Sequence, residues 1–190
     1  MKRFSKLEAL AFVFLISAGV GLRLSLHEIP NFAPVTAIAL FSGFFFRRWT
    51  VAVSVPLLTM AISDAWIGGY HLGMMLVVYG MLALPVTCRG VLRRLMTTTG
   101  APLVSSWGTI LGVAGCSLVA SILFFVVTNL GHWYLYDHPR TIVGLGQCYL
   151  QAIPFFRYTL GSDLLFGLTL FGSYGFVSSY LALPGRAVRA

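Results

Sequence analysis

The feature that most limits what this chain can fold into is the length of its uncharged stretches. Between clusters of Lys and Arg, apolar runs recur at 9–22, 30–46, 49–68, 72–88, 107–129 and 158–183. A hydrocarbon layer of about 30 Å takes about 20 residues of helix to cross, with some latitude on either side. Inside such a layer every backbone amide must find a partner within the protein, so runs of this kind become helices. The expected fold is an all-α membrane protein, a six-transmembrane-helix bundle forming one integral membrane domain over residues 1–190. Composition agrees: the chain is 58% hydrophobic and 9% charged, where soluble proteins carry about 25% charged residues. A soluble globule and a disordered chain are both excluded. Residues 141–156 are apolar but short, and Gly144, Gly146 and Pro154 interrupt them. They read as a short outer interfacial or re-entrant segment.

The formal charge of +8 records orientation in a protein of this class, not affinity for nucleic acid. Six crossings put both termini on one side. That side holds Lys2, Arg3, Lys6, Arg47, Arg48, Arg89, Arg93, Arg94, Arg186 and Arg189, and the other holds Arg23, Arg140 and Arg157. The imbalance places both termini in the cytoplasm and the protein in the inner (cytoplasmic) membrane. The basic start of the first run, followed by Ser17, Ala18 and Gly19, also fits a signal peptide, whose removal would leave five crossings. Cys88, Cys116 and Cys148 form an odd set without close spacing, so neither a disulfide framework nor a structural zinc site is expected.

Under this topology His27, His71, His132 and His138 all fall on the outer face, with Glu28, Asp64, Asp137 and Asp163. At about 1.5 Å per residue, Asp163 counts to the outer rim. Asp64 lies deeper, within the hydrocarbon, where a carboxylate needs a partner, a proton or a function. The ligand-binding candidates are Asn31, Asp64, His71, Asn129, Trp133, Tyr158 and Asp163, around a small solute arriving from outside. The plainer alternative is that these groups tie helix ends together, with Arg157 neutralising Asp163 and Ser63 or His71 satisfying Asp64. On the functional reading, Asp64→Ala removes ligand binding and leaves a foldable protein. Imidazole is a common ligand for zinc, copper and nickel, which makes His71, His132 and His138 the metal candidates; none of them has the i, i+4 spacing of a helical site. The Cys148 thiol is either a further ligand or a small buried hydrophobe. Small residues at Ala33/Ala37 and Ala39/Gly43 permit close helix approach, for internal packing or for docking a partner. Phe41, Phe44, Phe45 and Phe46 read as core or lipid-facing aromatics.

The chain has no GxSxG, HExxH, GxxxxGK[ST] or GxGxxG motif, so no ATP-driven or other enzymatic activity and no cofactor are expected. Taken together, Asn31–Gly43, Ser63-Asp64, Phe124–Asn129 with Trp133, Ala152–Arg157 and Gly161-Ser162-Asp163 resemble an uncharacterised family of small bacterial six-span transport proteins. In size and topology the chain also distantly resembles the S components of energy-coupling-factor transporters. That second resemblance implies capture of a small solute such as a vitamin at the outer face. It also implies an energising membrane scaffold subunit with ATPases as partner, with Asn31, Asp64, Asn129, Trp133 and Asp163 in the pocket. The competing readings are a cobalt- or nickel-type metal permease, an accessory subunit of a larger membrane complex, and an enzyme acting on a lipid or quinone through Asp64 and His71.

Overall fold

The computed structural model describes residues 5–98, 107–136 and 138–181. Among these there are seven α-helices and one 3₁₀ segment: α1 (Lys6–Ser25), α2 (Val35–Phe45), α3 (Trp49–Ile67), α4 (Leu72–Ala83), the 3₁₀ segment Leu84–Cys88, α5 (Arg89–Thr98), α6 (Trp107–Leu135) and α7 (Ile142–Leu181). Five helical segments, Lys6–Ser25, Trp49–Ile67, Leu72–Leu95, Trp107–Leu135 and Ile142–Ser178, are long and apolar enough to cross a membrane. This is the anatomy of a multi-pass membrane protein. Their outer faces are apolar, as at the exposed Leu7, Leu10 and Phe14 of α1 and Leu111 of α6.

Local chemistry sets the helix ends. Ser5 and Glu8 bond reciprocally to each other's backbone N–H, a capping box that starts α1. Gly68, at φ 110°, ends α3 in a conformation that other residues avoid. Pro56 lies inside α3 and cannot donate to the carbonyl of Ala52. The Ser42 hydroxyl of α2 donates to that carbonyl instead, at 2.9 Å, so a defect in one helix becomes the bond that docks its neighbour.

Three expectations are corrected. The run 30–46 is not one crossing: α2 has 11 residues, about 16 Å, and every residue from Val35 to Gly43 is buried. Residues 26–34 before it are turns, with Asn31 left-handed at φ 58°. Pro30 precedes Asn31 and Pro34 ends this segment, and Asn tolerates the left-handed region better than most residues. The segment 141–156 is no separate re-entrant element, because α7 runs through it for 40 residues, about 60 Å. Gly144 marks a close approach and no break: a Cβ there would lie 2.3 Å from the Pro139 carbonyl oxygen. Pro154 is carried inside the helix, with Tyr149 bonded to the Val126 carbonyl and Phe125 packed on Tyr149 and Phe156. The run 72–88 does not stop at Arg89, since α5 continues it to Thr98.

Arg89 and Arg93 have a structural task there. Arg93 donates to the carbonyls of Phe44 (3.0 Å) and Phe46 (2.8 Å), and Arg89 to that of Arg47 (2.8 Å). These are carbonyls at and just beyond the C-terminus of α2, which lack helical partners and attract cations. Gly43 lets the 3₁₀ segment close on the same end, since a Cβ would meet the Val86 carbonyl oxygen at 2.7 Å. Phe41, Phe44, Phe171 and Tyr174 then interlock α2 with α7. The aromatics of α2 are therefore core, with Phe41 and Phe46 buried. The result is a short inner helix wrapped by longer ones.

Candidate functional site

Two carboxylates lie in the interior of the bundle. Asp64, in the last turn of α3, is 5% exposed. An Arg23 Nη1 from the last turn of α1 pairs with its Oδ1 at 2.5 Å and also donates to the Ser63 hydroxyl. The Tyr79 hydroxyl of α4 donates to its Oδ2 at 2.7 Å. Ser63 in turn donates to the Thr59 carbonyl at 2.7 Å. Neither Ser63 nor His71 supplies the counter-charge to Asp64; Arg23 does. Close packing of α1 on α3 makes this pair reachable, because a Cβ on Gly19 would lie 2.6 Å from Ile38 and 2.8 Å from Thr59. The first apolar run is thus built into the bundle.

Asp163, on α7, is 2% exposed and is held differently. The Ser121 hydroxyl donates to its Oδ2 at 2.7 Å, and the Thr36 hydroxyl is a second partner. Among the described residues no cation lies within ion-pair distance of it; the ion pair there is Arg23–Asp64. Arg157 bonds Tyr158 instead, at 2.9 Å. The N-terminal turn of α2, which carries Thr36, has no side-chain cap, so its free N–H groups give Asp163 a partial positive charge nearby. Asp163 is also deeper than the residue count suggests. Its partner Ser121 is 14 residues along α6 from Trp107, about 21 Å, and α7 continues past Asp163 to Leu181.

Asp163 lines a cavity of about 320 Å³ whose wall includes Arg23, Asn31, Thr36, Met60 and Tyr70. The turn segment 26–34 closes one side of it. A second cavity of about 200 Å³ shares Asn31, Phe124 and Thr159 with the first and extends to Asn129 and His132. The irregular backbone of this segment lines the cavity, one of the settings in which non-helical backbone is tolerated in membrane proteins. Tyr70, between α3 and α4, has its hydroxyl pushed up to about 12 by partial burial and, secondarily, by the negative Asp64.

The sequence candidates separate into three groups. Asn31 touches both cavities, Asp163 the first and Asn129 the second, where its carboxamide donates to the Phe125 carbonyl at 2.7 Å. Asp64 stands behind Arg23, one residue removed from the cavity wall. His71, Trp133 and Tyr158 line neither cavity: His71 lies against Tyr136, Trp133 donates to the Pro139 carbonyl, and Tyr158 takes the Arg157 bond. Ala37, Ala39 and Gly43 are buried within the bundle and Ala33 lines the first cavity. Asp137 lies outside the described residues. Arg23, Thr36, Tyr79 and Ser121 were not singled out from the sequence. Arg23 was counted as a loop charge, and the lack of a cation on α3 itself was the one signal that Asp64 must reach another helix.

No curated protein and no solved structure matches this chain in the comparisons. A family model does match, over residues 4–184. On that match, the chain belongs to the family described as a family of unknown function (DUF6580).

Proposed function

We propose that the chain is the solute-binding subunit of a membrane transport system, taking a small polar organic molecule into the cavity beside Asp163. The observation that carries this reading is a buried carboxylate with no cationic partner among the described residues, facing a cavity of about 320 Å³, in the size range of small-ligand sites. An intramembrane acid on a cavity wall is a functional residue by default. Here it can accept from an amino or other cationic group of the solute, while Asn31 supplies amide donors and acceptors. Met60, Met74 and Phe124 offer the apolar surface.

The excess of Lys and Arg at the Arg47/Arg89 end supports a cytoplasmic position for that end and an outward opening for the cavity. The chain carries no nucleotide-binding motif, so its energy source is a partner, such as a scaffold subunit with ATPases, or an ion gradient. This is the arrangement of the energy-coupling-factor S components that the chain resembles in size, with a vitamin-like solute as cargo and the inner membrane as location. The test is native mass spectrometry of the full chain in nanodiscs. A co-purified small molecule should be held by the wild type and lost in Asp163→Asn. An empty wild-type protein that is also not stabilised by any member of a panel of amines and zwitterions sinks the reading.

A further inference from the structure

The connection between α6 and α7 gathers a second set of groups, on the far side of the second cavity. His132 lies in the last turn of α6, His138 in the loop after it, and Cys148 in the second turn of α7. One ligand atom from each lies within 4.8 Å of the others. His138 Nε2 and His132 Nδ1 are 3.0 Å apart, and Cys148 Sγ is 4.0 Å from His132 Nδ1. A tetrahedral zinc ion with bonds of about 2.0–2.1 Å to nitrogen and about 2.3 Å to sulfur sets neighbouring ligands roughly 3.3–3.6 Å apart. The 3.0 and 4.0 Å separations bracket that range and the third, between His138 and Cys148, is at most 4.8 Å, so shifts of about 1 Å close the site.

We propose that His132, His138 and Cys148 form a three-ligand site for a thiophilic divalent cation such as Zn²⁺, with its fourth position open to the second cavity. The donor set is borderline to soft, which favours zinc or cobalt over calcium or magnesium. His132 lines the second cavity, so a ligand entering there meets the open position. The loop is held for this purpose at several points: Trp133 donates to the Pro139 carbonyl at 3.0 Å, Arg140 donates to the Tyr134 carbonyl, and Tyr136 stacks on His132 with ring centroids 4.5 Å apart. Cys148 is buried while neither imidazole is, so the cation enters from the histidine side and binds the thiolate last. Loading releases the Cys148 thiol proton to solvent, while the proton shared between the two facing imidazole nitrogens passes through solvent to the other nitrogen of the same ring, so that two metal–nitrogen bonds replace the hydrogen bond. This site is independent of solute binding beside Asp163 and stands or falls separately.

The experiment is a Co²⁺ titration of the metal-free full chain in nanodiscs. One equivalent should bind, with the intense visible bands of tetrahedral cobalt and a thiolate-to-cobalt charge-transfer band, and Zn²⁺ should displace it. Cys148→Ser should abolish the charge-transfer band, whereas Cys88→Ser and Cys116→Ser leave it. His138→Ala, on the loop and outside the helix packing, should weaken cobalt binding at least tenfold while keeping that band, and it serves where Cys148→Ser does not fold. A wild type with no charge-transfer band, a band that survives Cys148→Ser, or unchanged affinity in His138→Ala overturns the site.

Discussion

Asp64 and Asp163 are the same side chain, both buried in one bundle, and held in different ways. Asp64 is closed: an arginine, and a tyrosine hydroxyl, occupy its oxygens. Asp163 is held by hydroxyls and the start of a short helix, with a cavity beside it. A complete ion pair in the interior leaves nothing for a ligand, whereas hydroxyls and a helix dipole stabilise a charge without cancelling it. On the proposed reading this difference makes Asp163, with the cavity beside it, the carboxylate for a ligand, and leaves Asp64 to the ion pair.

The largest effect should come from opening the closed pair. Asp64→Ala leaves the Arg23 guanidinium without a counter-ion and should cost about 3–5 kcal/mol of stability, read as a lowered unfolding midpoint in nanodiscs. Arg23→Met combined with Asp64→Leu should recover most of that loss. An Asp64→Ala protein of wild-type stability that fails only in ligand binding would reverse the comparison. Next, Ser121→Ala should destabilise by about 1–3 kcal/mol because no cation among the described residues pairs with Asp163, while Tyr79→Phe should cost about 1 kcal/mol because Arg23 remains. Equal costs for these two would show that the carboxylates are held alike.

Asp163→Asn keeps groups that bond hydroxyls, so stability should change by less than about 1 kcal/mol. Binding of a cationic solute should fall at least tenfold, about 1.4 kcal/mol, measured by calorimetry once native mass spectrometry supplies the ligand. The smallest effect is a pH dependence beside the closed pair. Tyr70 keeps its proton longer in the folded chain than in the unfolded one, with its value pushed up to about 12. Its contribution is whole below about pH 10, the unfolded tyrosine value, and is lost as pH rises through the folded value. Tyr70→Phe should flatten the stability profile in that alkaline window, and an unchanged profile would show that partial burial, with the nearby Asp64, does not hold the Tyr70 proton.

Much of the helical scaffold was legible because hydrophobic length is a local property. The runs that became α1, α3, α4 and α6 could be read from spacing between charges, since each residue meets lipid or core independently of its distant neighbours. Where a run depends on its neighbours, the reading failed. Pro154 and Gly144 look like breaks until α6 and Pro139 are in place to support them. The run 30–46 looks like a full crossing until the cavity explains why its first five residues are unwound.

The sequence by itself determined that this chain is all-helical and belongs with lipid, because 58% hydrophobic content and a scarcity of charge leave few other ways to satisfy the backbone. It also picked out Asn31, Asn129 and Asp163 as polar groups needing a reason. Only the tertiary structure decided which groups meet. Arg23 finds Asp64 across 41 residues, and Ser121 finds Asp163 across 42. Such pairings depend on how helices rotate and slide against one another, which no spacing along a single helix encodes. The partner, and not the burial, decides whether an interior charge is structural or available.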